Sequence, residues 1–194
     1  MATCPGPLLT AASARQEATA SRISPELNHP LPDMTYKVSG VQGDVTFITD
    51  SAGQTVTARV EGLQLGDGGR SGHIQGSVGQ SANAEIYTQT PLSDGWRYEG
   101  GHLVANGFDG IPERINIVGM LKELNQNIGD VDSFYNFETA VRQKALGVPP
   151  PRIDVEINLI RGPGVKTPAK IRVGAWADGE LFIDQRFKNI VGSG

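Results

Sequence analysis

The sequence predicts an α+β domain in which an antiparallel sheet surrounds a small strand–loop–helix core. Three observations carry that prediction. Apolar and polar residues alternate near both ends of the chain, as half-buried strands require. Asp50-Ser51-Ala52-Gly53 and Asp178-Gly179 supply turn chemistry between paired runs. Ser133 to Leu146 has a helical period and is stopped by Gly147 and three prolines.

The elements follow in order. Residues 1–32 are rich in Ala, Ser, Thr and Pro, and read as a linker or leader expected to be flexible. At most a frayed turn is expected from Arg15 to Arg22. Pro30 and Pro32 mark the edge of a domain covering 33–194. Tyr36 and Val38 alternate with polar neighbours, as do Val45, Phe47 and Thr49, and Thr55 to Val60 returns to complete a hairpin. Residues 62–82 carry seven glycines and read as loop, with a short helix allowed near Ser81 to Thr90. His102 to Ala105 is a short strand, followed by a loop through Gly107, Asp109 and Gly110. Ile115 to Val118 is a second apolar segment. Leu121 and Leu124 begin a helical period, with Asn125 at the start of a helix. Arg152 to Ile160, Lys170 to Trp176 and Glu180 to Phe187 are the closing strands.

Composition narrows the function. Hydrophobic residues make up 38% and charged residues 20%, enough for a packed core. The net charge is −4, so the chain does not hold nucleic acid by bulk electrostatics; a phosphate contact needs a local cluster or a bound cation. Cys4 is the single cysteine, which excludes an intrachain disulfide and a cysteine-based zinc site. No apolar run of about 18 residues exists, so no membrane span is expected. The start, Met1 to Pro5, lacks the regions of a secretory signal peptide, and any export is expected to use another route.

The informative stretch runs from Glu99 to Arg142. It contains Glu99-Gly100-Gly101-His102-Leu103-Val104-Ala105, then Glu113, Asn116 and Asn125, then Glu138 and Arg142. A neutral imidazole can take a proton from water near pH 7, and two preceding glycines allow the His102 ring to face a cleft. An amide oxygen such as that of Asn125 suits a hard cation that keeps most of its waters. Glu138 and Arg142 lie four apart and share one helix face, which by itself fits a surface ion pair. Taken alone, Asn125 also fits a cap or turn, and Asn116 a turn former.

Together these residues resemble the DNA/RNA non-specific endonucleases of the ββα-metal group, in particular the branch found as toxin domains of bacterial polymorphic and secreted toxins. The specific part is Gly100 to Ala105, with the two asparagines nine residues apart. The resemblance implies a ββα-metal core and hydrolysis of DNA, and RNA as a second substrate, with Mg2+ or another divalent cation such as Mn2+. It implies His102 as general base, Asn125 as metal ligand and Asn116 as hydrogen-bonding support. Glu138 would hold water of the metal's hydration shell, and Arg142 would contact phosphate. The interval from Asn125 to Glu138 is longer than in the broader family, which keeps Glu123 and Asp132 as alternatives. It further implies a secreted antibacterial effector, delivered by a specialised secretion system, and a cognate immunity protein as partner.

The broader family often has Arg one residue before the glycine that precedes the histidine. Here that position is Gly100, so Arg97, Arg114 or Arg142 must supply the charge. Glu99 either orients His102 or faces solvent, and Glu113 reads as a cap or loop salt bridge. His29 and His73 lie far from any matching ligand set. Gly66 to Gly72 lacks the ending of a phosphate-cradling loop, and Asp44, Asp50 and Asp67 lack calcium-loop spacing. Trp96 and Trp176 read as core or sheet anchors. Two rival readings stand: an inactive homologue that binds nucleic acid or protein, and a β-rich adhesion or carbohydrate-binding module. The second predicts that His102 and Asn125 lie far apart.

Overall fold

The computed structural model describes residues 16–21, 25–39, 43–66, 69–87, 97–128 and 132–191. Seven strands form one sheet: β1 (Gln16–Ser21), β2 (Met34–Ser39), β3 (Asp44–Thr49), β4 (Thr55–Glu61), β7 (Ile153–Ile160), β8 (Lys170–Ala177) and β9 (Glu180–Lys188), in that spatial order. From β2 to β9 all neighbours are antiparallel, while β1 runs parallel to β2.

Alternation decides which face is buried. Along β7 every second side chain from Ile153 to Leu159 is buried, and registers such as Val155 opposite Val60 and Ile157 opposite Val173 align the apolar sets. Asp178 and Gly179 both take positive φ, the turn geometry that matches strand twist in a two-residue hairpin. Helix α3 (Phe134–Ala145) starts at its cap Ser133, whose side chain accepts from the Asn136 N–H at 3.2 Å. It is pinned to β9 by Phe134, whose ring centroid lies 5.3 Å from that of Phe137 and 6.0 Å from that of Phe187. Each such buried ring is worth roughly 1.5–3 kcal/mol of transfer free energy.

A smaller module holds the middle of the chain. Strands β5 (Tyr98–His102) and β6 (Ile117–Leu121) form an antiparallel hairpin covered by helix α1 (Gly72–Tyr87), and the short helix α2 (Lys122–Asn125) follows β6. The helix lies where the glycine count predicts a loop. It forms because its glycines allow contact closer than side chains permit: a Cβ on Gly79 would stand 3.0 Å from Glu99 Cα, and one on Gly119 would stand 2.5 Å from Ala82 Cβ. Asn83 then hydrogen-bonds both backbone groups of Tyr98, at 2.9 and 2.8 Å, capping the outer edge of β5.

Other expectations shift as well. A strand replaces the frayed turn at Gln16–Ser21, and Leu27, in a 3-10 turn at Pro25–Asn28 within the expected leader, is fully buried. Cys4, Asp67, Trp96 and residues 88–90 of the short helix expected near Ser81 to Thr90 lie outside the described residues. Trp176 is half-buried, with its ring against Gly174. Among the described residues no helix is long and apolar enough to cross a membrane.

Asn189 ties the two modules together. Fully buried, it donates to the carbonyls of Gly119 (2.8 Å) and Pro168 (2.7 Å) and accepts from the Leu121 N–H at 2.7 Å. Its own carbonyl receives the Tyr98 hydroxyl at 2.9 Å. The hairpin is thus fixed to the end of the large sheet.

Candidate active site

The β5–β6 hairpin, α1, α2 and α3 border a cleft of about 1140 Å³. His102, Asn125, Glu138 and Arg142 all line it, with Arg70, Gln75, Arg97 and Glu99. β5 ends at His102, so the histidine closes the strand that the sequence has it open. Asn125 ends α2 rather than starting a helix.

The two glycines before His102 have separate steric reasons. A Cβ on Gly100 would stand 2.6 Å from Gln75 Cα, inside the backbone of α1. A Cβ on Gly101 would stand 2.7 Å from Asn125 Oδ1 and 2.5 Å from Met120 Sδ. Successive strand residues face opposite sides. Gly100 therefore lets the helix close on one side, and Gly101 leaves room for the Asn125 amide on the other.

His102 is 8% exposed. Its Nε2 is sealed from solvent and has no hydrogen-bond partner, while Nδ1 stands 3.5 Å from Gln75 Nε2. An amide NH2 only donates, so in that contact Nδ1 is the acceptor and carries the lone pair of the neutral ring. Gln75 is itself anchored, donating to the Gly100 carbonyl at 3.0 Å. Burial, and then the charge of Arg70, push the His102 pKa down to about 4, so the ring is neutral at pH 7.

Glu138 is half-buried, and burial lifts its pKa to about 7 against the opposing pull of Arg70. No ion pair joins it to Arg142 among the described residues, so the surface-pair account of their spacing does not describe them. Glu99 is half-buried at the cleft and bonds away from His102. Its Oε2 accepts from Gln126 at 2.5 Å and from Asn125 Nδ2 at 3.4 Å. With Nδ2 turned to Glu99, Asn125 Oδ1 lies against Gly101, where a Cβ would stand 2.7 Å from it.

Those donors fit a hard, hydrated cation. A neutral amide at Asn125 and a carboxylate at Glu138 line the same cleft, where water can fill the remaining coordination. No group of three or more His, Cys, Asp or Glu side chains suited to a metal occurs among the described residues, so an all-protein cage is not the arrangement here.

Asn116 lies behind the cleft. It is fully buried; its Oδ1 accepts from the Val104 N–H at 2.8 Å, and its Nδ2 donates to the carbonyls of Val104 (2.9 Å) and Ile111 (2.8 Å). It braces the segment that leaves His102. Of the alternatives to Glu138, neither Glu123 nor Asp132 lines the cleft, and Asp132 instead accepts from Gln185 at 3.3 Å. Arg114 is also outside it, its guanidinium 3.5 Å from Ser77 Oγ. Arg70, unmarked in the sequence reading, joins Arg97 and Arg142 at the cleft and makes it locally cationic in an acidic chain. Neither Arg70 nor Gln75 belongs to a local motif; only the fold of the glycine-rich segment brings them there.

A family model for DNA/RNA non-specific endonucleases matches residues 32–178. Among solved structures, that of NucA from Streptococcus agalactiae with no metal bound is similar at a TM-score of 0.50 and 14% identity, over 77% of this chain and 72% of that one. The structure of Sda1 nuclease with bound zinc ion has a TM-score of 0.49 and 18% identity, over 77% and 78% of the two chains. The likeness to NucA is one of fold: a mixed α/β domain with antiparallel sheet and few helices, as the sequence predicts.

Proposed function

The chain belongs to the DNA/RNA non-specific endonuclease family, and we propose that it cuts the phosphodiester backbone of DNA, and of RNA, with one magnesium ion held at Asn125. As a member of that family it is a hydrolase acting on nucleic acid with a divalent metal. The observation that carries the finer reading is that His102 and Asn125 line one cleft, with the lone pair of the neutral His102 ring on Nδ1.

In this reading His102 Nδ1 takes the proton of an attacking water, whose oxygen forms the new bond to phosphorus. The bond to the 3′ oxygen breaks, so the product carries a 5′-phosphate. When bound, the cation supplies charge neutralisation at the scissile phosphate and at the departing oxygen, with manganese as the alternative ion. A pKa of about 4 makes the empty-cleft histidine a weak base. A phosphodiester brings negative charge beside the ring and raises its pKa toward the working range. Glu138 accepts hydrogen bonds from cleft water. Arg142, with Arg70 and Arg97, holds the phosphates flanking the cut, which supplies the charge absent at Gly100. Asn116 positions the backbone after His102.

We place the catalytic unit at residues 33–194 and assign 1–32 as a linker or leader, docked on that unit through β1 and Leu27. The Gly100 to Ala105 run supports the toxin branch of the family, hence delivery to competing cells by a specialised secretion system. A cognate immunity protein then follows, because an active nuclease would digest the producer's own chromosome.

The test is incubation of the full chain with plasmid and with a structured RNA, in magnesium, in manganese and in EDTA. Cleavage is expected with metal and not with chelator, and His102→Ala is expected to lower the rate by about 10²–10⁴-fold while leaving the protein folded. Folded wild-type protein that cuts neither substrate with either metal would be an inactive binding homologue instead.

A further inference from the structure

Helix α1 separates two concavities. Gln75, Gly79 and Asn83 face the cleft, whereas Val78 and Ala82 face a second hollow of about 310 Å³ on the opposite flank. We infer that this second hollow is an anion site that takes a phosphate group, gripped by Arg161 with Arg114 and Lys166. His29, Arg114, Arg161 and Lys166 line it, and no Asp or Glu does among the described residues. In a chain of net charge −4, a lining whose charged side chains are all cationic is not the average surface.

Arg161 is held ready before any ligand arrives. Its Nε donates to the Lys166 carbonyl and its Nη1 to the Thr55 carbonyl, both at 2.6 Å. Those two bonds fix the guanidinium plane and leave Nη2 without a partner among the described residues. A guanidinium so oriented presents its remaining donors to a phosphate in the geometry that makes arginine a selective phosphate ligand.

The nearest carboxylates are engaged elsewhere. Asp50 Oδ1 accepts from the N–H groups of Ala52 and Gln54, at 2.9 and 2.8 Å. Glu85 accepts from the Lys166 N–H (2.7 Å), the Thr167 N–H (2.8 Å) and the Thr167 hydroxyl (2.6 Å). This second set shapes the loop that carries Lys166. Burial lowers the Arg161 pKa, and the charges of Asp50 and Glu85 oppose that shift. An anion in the hollow supplies what those two carboxylates supply only at a distance.

The phosphate could belong to a polynucleotide or be free in solution. α1 is about 10–12 Å across with its side chains, a distance that a strand at roughly 3.4 Å per nucleotide covers in a few residues. A strand leaving the cleft over α1 could therefore place a backbone phosphate in the hollow. The inference does not rest on the nuclease reading, since phosphate binding lost with Arg114 and Lys166 but kept in Arg70→Gln belongs to the hollow and not to the cleft.

The experiment uses Arg114→Gln combined with Lys166→Gln, both on exposed side chains, in the full-length protein with EDTA. Retained folding is checked by its melting temperature. Inorganic phosphate is titrated by NMR, and a short single-stranded DNA by fluorescence anisotropy, against wild type and against Arg70→Gln as a cleft control. If the hollow takes a backbone phosphate, the double variant binds the oligonucleotide about tenfold more weakly, with a salt slope reduced by about 0.7–1.4, and the loss persists in the Arg70→Gln background. If it takes free phosphate, oligonucleotide binding is unchanged and the phosphate titration loses its saturable shifts at the residues lining the hollow; either result upholds the anion site. Binding of both probes that matches wild type would overturn it.

Discussion

Along β7 every second residue from Ile153 to Leu159 is buried, whereas along α1 the buried residues are Val78, Gly79 and Ala82. The large sheet is specified by side chains that fill space. The α1–hairpin module is specified by side chains that are missing, at Gly79, Gly100, Gly101 and Gly119. A core built from branched residues tolerates small losses of volume, because each contributes a share of one cluster. A helix laid on a strand through glycines has no such reserve, since the first added carbon meets backbone. The difference has a functional side: the module that cannot absorb change carries His102 and Asn125, and the one that can serves as its support.

Two substitutions would break or sharpen this comparison. Gly100→Ala places its Cβ within the backbone of α1 at Gln75, so the helix must lift from β5. We expect a loss of about 3 kcal/mol or more in denaturant unfolding, with nuclease activity of the remaining folded protein lowered as well, because Gln75 and His102 move together. A stability close to wild type would show that α1 floats rather than packs. Val173→Ala removes two carbons from the centre of the sheet, where the side chain is fully buried. The expected loss is about 2 kcal/mol, with activity per folded molecule unchanged. A fall in that activity would mean that the sheet and the hairpin are coupled more tightly than Asn189 and its hydrogen bonds require.

The same contrast explains what the sequence disclosed. The strands and α3 announced themselves because burial on one face imposes a period, and because Ser133, Gly147 and the Asp178-Gly179 pair mark their ends chemically. α1 did not, because Gly72, Gly76 and Gly79 lower helix propensity locally while the compensating contact comes from β5 and β6, some twenty to forty residues onward. In the candidate site, the run from Gly100 to Ala105 pointed to the strand that ends at the cleft, since both glycines and the histidine act through positions adjacent in the chain. Arg70 and Gln75 carried no such mark. Their place depends on where a glycine-rich segment folds, and Asn189 acts through partners up to 91 residues away.

The smallest expected effect is a hidden pH dependence, and it separates the two regions most cleanly. His102 has a pKa of about 4 against an ordinary 6.5, so below pH 6.5 the unfolded chain binds the proton first and stability falls as pH drops. Glu138 has a pKa of about 7 against an ordinary 4.5. As pH drops through 7 the folded protein binds the proton first, and stability rises. Between pH 7.5 and 5.5, without metal, the two effects oppose and leave the cleft's net contribution small. Removing either group unmasks the other. Relative to wild type over that interval, Glu138→Gln should lose about 1–2 kcal/mol of unfolding free energy, and His102→Gln should gain about 1 kcal/mol. Val173→Ala, remote from both titrating groups, should keep the wild-type profile while lying below it. Urea unfolding in EDTA at the two pH values measures all three. Parallel profiles for the two cleft variants would mean that water reaches these side chains freely, and that their burial does not govern their charge.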